Sequence, residues 1–168
     1  DAVQLGMYPS ITIACGHAGL TSKLVELAGA DVVEGVYGVF PTVSWGDDVP
    51  GMAKMTEYML ANHPDDEGNG DYITAWAESL IVAEILRLAL EEMDIEDLTP
   101  QAVEEYGFKK LNNFSPGGLH GPVTYTVGDN RLSKSVRVFQ VQGGAIKPVS
   151  GWIDAALINY EDFDWFNK

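Results

Sequence analysis

Apolar positions in this chain fall into short runs near both ends and one long helical block in the middle. Ile11–Cys15 (ITIAC) is a partly β-branched run closed by Gly16, and Val32–Phe40 (VVEGVYGVF) is a second that stops at Pro41. Their length and composition predict buried strands. Between them, Thr21 or Ser22 is placed to cap a helix over Lys23–Leu27 that ends at Gly29. Strand, helix and strand at this spacing predict a parallel βαβ unit with a right-handed connection.

Pro41–Pro50 (PTVSWGDDVP) has no hydrophobic period and is bounded by prolines, which predicts a crossing or hinge segment. Met52, Met55, Met59 and Leu60 can share one side of a helix over Met52–Leu60. After the polar break His63–Asp71, no Gly or Pro interrupts Tyr72–Met93, the strongest helix expectation in the sequence, with Asp71 as its cap. Glu84, Arg87 and Glu91 mark one narrow polar line on that helix. Trp76, Leu80, Ile81, Ile85, Leu88 and Leu90 cover most of the rest. A helix apolar over so much of its girth needs more than one neighbour. Leu98–Leu111 predicts a weaker helix, with Thr99 as N-cap and Pro100 in the first turn. From Gly117 onward the pattern turns β: Pro122–Val127, a turn at Gly128-Asp129-Asn130, Val136–Gln142, a Gly143-Gly144 turn, and Ala145–Val149. The tail Trp152–Lys168 mixes aromatic and acidic residues and predicts no particular element. The order as a whole reads as α/β.

Charge narrows the function classes. Ten basic residues against twenty-five acidic ones give a net charge of −15, which argues against nucleic acid and anionic membrane surfaces as partners. A single cysteine, Cys15, excludes an internal disulfide framework and multi-cysteine metal sites. The three histidines, His17, His63 and His120, have no metal-ligand spacing, so no metal or cofactor is expected. Cys15 and His17 would share one face of a strand, as in a nucleophilic pair. The plainer reading is a small buried hydrophobe beside a loop histidine. Asp65, Glu67, Asn69 and Gly70 imitate a calcium loop, but its twelfth position is Trp76 instead of a carboxylate. Phosphate-cradling glycine motifs are lacking. No catalytic residue is expected.

Three segments taken together carry a resemblance: ITIACGHAG followed by ADVVEGVYGVFP, the helix DYITAWAESLIVAEILRLALEE, and GGLHGPVTYTVGDNRLSKSVRVFQVQGGAIKPV. Their order and spacing resemble the C-terminal half of type I periplasmic binding proteins, the substrate-binding components of ABC importers of the branched-chain amino acid group. The likeness covers roughly Gly6 to Val149. It implies an incomplete type I periplasmic-binding-protein fold, with parts of both three-layer α/β lobes present and the N-terminal region missing. Residues 1–40 would be part of lobe two, 41–50 a hinge crossing, and 51–127 part of lobe one. Residues 128–149 would be a return crossing and hairpin, and 150–168 a C-terminal tail.

The resemblance further implies a small-molecule ligand held between the lobes, an ABC permease as membrane partner, and an extracytoplasmic location. It puts ligand contacts at Gly16, His17, Ala18 and Gly19. Trp45 either lines the cleft mouth or packs the hinge, and Tyr37 and Trp76 belong to the core. The family's amino-acid binders carry a carboxylate at the position matching Ala18. Without it, a small carboxylate, an aromatic acid or a neutral amide suits the loop better than an ordinary α-amino acid. The long helix would cover a sheet that this chain lacks, so the chain alone is expected to form a homodimer or exchange elements. Two other readings stay open: a ligand-sensing domain with the same fold, and a small enzyme using Cys15 and His17.

Overall fold

The computed structural model describes residues 2, 4–127 and 131–155. The expected turn at Gly128-Asp129-Asn130 and the tail beyond residue 155 lie outside them. Strand β1 (Ala14–Cys15) lies parallel to β2 (Tyr37–Phe40), with Ala14 opposite Tyr37 and Cys15 opposite Gly38. The connection carries a 3-10 turn at His17–Gly19, helix α1 (Ser22–Ala28) and helix α2 (Ala30–Val33). Thr21 caps α1, its hydroxyl oxygen accepting from the Leu24 N–H at 3.1 Å, and Gly29 ends it. The parallel unit is therefore present, but both of its strands are shorter than the sequence predicts. Among the described residues β1 has a partner on one side only, and Ile11 is exposed. Val32 and Val33 are helical instead of extended. Gly35, at φ +82°, turns the chain into β2, while Val33 and Val36 on either side of that turn are buried.

Strand β3 (Ser135–Gln142) is antiparallel to β2 and sets Gln140 opposite Tyr37 and Arg137 opposite Phe40. It returns as β4 (Ala145–Pro148) through Gly143 and Gly144, both at positive φ, as a two-residue hairpin turn requires. The first two residues of β3, Ser135 and Val136, also pair with β5 (Ile153–Asp154). Leu20, Val25, Phe40, Phe139 and Val141 form the core between this sheet and α1–α2.

Helix α3 (Pro50–Asn62) opens on Pro50 and buries Met52, Met55 and Met59, while Leu60 faces outward. Helix α4 (Gly70–Leu90) is capped two residues earlier than expected: Asn69 Oδ1 accepts from the Asp71 N–H at 3.0 Å. It buries Ile73, Ala77, Ile81, Ile85 and Ala89 along one line of four-residue steps. Leu80, Val82, Leu86 and Leu90 are exposed. Tyr37 and Trp76, both expected in the core, are half-buried. The Glu84–Arg87–Glu91 line is at the surface, with Arg87 bonding Glu84 at 2.7 and 2.8 Å.

The weak second helix is broken into a short α5 (Pro100–Ala102), a π-helical turn at Val103–Gly107 and a 3-10 turn at Phe108–Lys110. Thr99 caps it as expected, accepting from the Ala102 N–H. Pro122–Val127 is extended but forms only isolated bridges, through Val123 to Phe114 and Ser133. Val123 joins Ile81, Ile85 and Leu111 in a cluster under α4. A third cluster, Val43, Met52, Met55, Ile73, Ala77 and Leu119, sits between α3 and the other half of α4.

Candidate functional site

The segment from Pro41 to Pro50 links the sheet to the helices, and its backbone is held rather than free. Val43 N–H donates to Leu119 O and Gly121 N–H donates to Pro41 O, both at 3.0 Å. A tight turn follows at Gly46, φ +82°, fixed by Asp47 Oδ2, which accepts from the Ser44 N–H at 3.0 Å. The same oxygen accepts from Arg137 on β3 at 2.6 Å, and the Arg137 guanidinium lies over the rings of Phe139 and Trp152. Hydrophobic periodicity cannot anticipate this clamp, because its partners are ninety positions apart.

A cavity of about 430 Å³ opens beside this crossing. Leu20, Phe40, Phe139 and Ile146 supply its apolar wall on the sheet side, and Val43 and Trp45 supply it on the crossing side. Thr21, Ser22, Glu26, Thr42, Ser44 and Asp71 are the polar residues of its lining. Gly68, Gly70 and Asp71 bring in the N-terminal end of α4. The volume is that of an ordinary small-molecule site. Ser44 Oγ is fully enclosed and makes no hydrogen bond, an arrangement that native interiors rarely leave without a partner.

Of the residues singled out from sequence, Trp45 lines this cavity. Gly16, His17 and Gly19 do not, and Ala18 forms the middle of the 3-10 turn between them. His17 stands edge-on to Phe40, ring centroids 5.4 Å apart, and its Nε2 is 3.1 Å from Thr74 Oγ1 on α4. The Thr74 hydroxyl donates to Gly70 O, so its oxygen is left to accept from a His17 Nε2–H. The loop after β1 is thereby tied to α4 beside the cavity. Cys15 is a half-buried free thiol, and the His17 Nε2 bond goes to threonine, not to sulfur.

A second groove, about 410 Å³, lies under α4 between Ile81, Val82, Ile85 and Val123, with Glu78 and His120 as its acidic and imidazole members. His120 is buried and its Nδ1–H donates to Gly121 O at 2.6 Å. Burial pushes its pKa below the ordinary 6.5, against the opposing pull of that hydrogen bond. Among the described residues no three His, Cys, Asp or Glu side chains gather as a metal site, and no helix is long and apolar enough to cross a membrane.

Sequence reasoning missed Phe40, Phe139 and Ile146 as cavity walls, because their pattern reads only as strand interior. It passed over Ser44 and Asp71 as loop and cap residues.

No family model and no curated protein sequence matches the chain. Solved structures do. A branched chain amino acid ABC transporter from Thermus thermophilus, with bound valine, is 21% identical with a TM-score of 0.74, over 93% of this chain and 42% of that one. A fatty acid ABC transporter substrate-binding protein from Thermomonospora curvata is 19% identical with a TM-score of 0.69, over 92% and 39%. A leucine binding protein from Thermotoga maritima is 20% identical with a TM-score of 0.59, over 91% and 39%. The chain therefore has the fold of ABC-transporter substrate-binding proteins, and it spans about two-fifths of the length of the proteins it matches.

Proposed function

We propose that this chain is part of a two-lobed, extracytoplasmic solute-binding protein that delivers a small ligand to an ABC permease. The ligand is a small polar solute of the amino-acid type or a related compound, and the site is the cavity beside Trp45. One observation carries the reading: the cavity is built jointly by the sheet, the crossing Pro41–Pro50 and the N-terminal end of α4. A ligand there touches elements on both sides of the crossing, as hinge-type binding requires. The role is binding without chemistry; the His17 Nε2 hydrogen bond goes to Thr74 rather than to Cys15.

A thermal-shift screen of small solutes tests this. At a solute concentration one hundred times its dissociation constant, linkage adds about 2.7 kcal/mol to the stability of the chain. The expected result is a raised melting temperature with a subset of solutes, abolished in Ala145→Trp, which fills the cavity from β4. Shifts that survive that substitution would contradict the site.

For the isolated chain, we propose that a second copy covers the exposed line Val82, Leu86 and Leu90. Each such side chain buried is worth about 1.5–3 kcal/mol. Sedimentation equilibrium is expected to show a dimer, and a monomer across the concentration range would contradict it.

A further inference from the structure

We propose that the solute carries an amine on an apolar body and that the cavity discriminates against carboxylates. This rests on the reading of the cavity as the solute site. The argument is an inventory of its polar groups. Among the described residues no Lys, Arg or His side chain lines it. Two carboxylates do, those of Glu26 and Asp71. Glu26 is paired with Lys23 at 2.7 Å on the surface, whereas Asp71 has no ion pair among the described residues. Thr21, Ser22 and Thr42 add hydroxyl-bearing side chains.

Two helix N-termini reach the lining and favour anions, that of the short α1 at Thr21 and Ser22 and that of the 21-residue α4. The α4 end is worth roughly half an elementary charge. The Asn69 cap already takes the Asp71 N–H, and the Asp71 carboxylate outweighs the remainder with a full negative charge. The chain's net charge of −15 acts in the same direction at longer range, drawing cations and repelling anions. A carboxylate in the cavity would lose water and gain no cation, which is costly. An ammonium meets Asp71 and the aromatic face of Trp45, where cations are also attracted. The apolar remainder of the ligand packs on Phe40, Phe139 and Ile146. The polar wall thus opposes the small carboxylate that the Ala18 position suggests from sequence.

Three probes of one shape separate the possibilities: 2-phenylethylamine, 2-phenylethanol and 3-phenylpropanoate, titrated calorimetrically into the 168-residue chain. A charge-assisted hydrogen bond predicts binding of the amine about tenfold tighter than the alcohol. The acid is expected to be weakest. Asp71→Asn should remove most of the amine's advantage and leave the alcohol unchanged. Binding of the acid as tight as the amine would overturn the amine preference and leave the solute site standing. No binding by any probe to the folded chain would overturn both.

Discussion

A hydroxyl left without a partner inside a protein costs about 1–3 kcal/mol, and Ser44, a residue of the cavity lining, carries one with its oxygen fully enclosed. Nothing in the sequence marks Ser44, because its surroundings come from four separate stretches of chain. Trp45 was legible because a large aromatic inside an aperiodic, proline-bounded segment needs something to pack against. His120 has a different consequence. Burial lowers its folded-state pKa below the 6.5 of the unfolded chain, so between those values the unfolded chain binds more protons. Its contribution to stability is present above 6.5 and is lost as pH falls through that window. Urea unfolding at pH 7 and pH 5 is expected to show a steeper loss for the parent chain than for His120→Gln. Equal slopes would contradict the assignment.

At the level of elements, the strongest patterns succeeded. The α4 block, the methionine spacing of α3 and the Gly143-Gly144 hairpin are each set by short-range periodicity or turn chemistry. Other expectations failed where tertiary context prevailed. Val32 and Val33 have strand composition, but the glycines at positions 29 and 35, both at positive φ, isolate them in a helical turn. Pro122–Val127 alternates like a strand, yet its neighbours offer only single bridges. The broken helix after Thr99 has its own cause. A Cβ on Gly107 would lie 2.6 Å from Ile85 O and 2.8 Å from Ile85 Cγ2, so the π-helical turn packs its backbone directly against α4. Helix propensity alone predicts that Gly107→Ala stabilises, by up to about 1 kcal/mol. The contact predicts the opposite sign, a loss of about 1–3 kcal/mol. Chemical denaturation distinguishes the two, and a gain in stability would show that the contact relaxes freely.

For the whole molecule, α4 is the member shared by two hydrophobic clusters, and its N-terminal end reaches the cavity beside the sheet. The crossing that joins these parts is clamped by Arg137, Asp47 and the backbone bonds to residues 119 and 121. That arrangement was readable from sequence as an order of segments, but its cavity was not, since only folding brings Glu26, Ser44, Asp71 and Phe139 together. The account depends on a small molecule occupying that space. The direct measurement is a backbone amide NMR titration of the chain with a solute that raises its melting temperature. The account predicts shifts concentrated at Leu20, Phe40, Ser44, Trp45, Asp71 and Ile146. Shifts confined instead to the groove between Glu78, His120 and Val123 would contradict it.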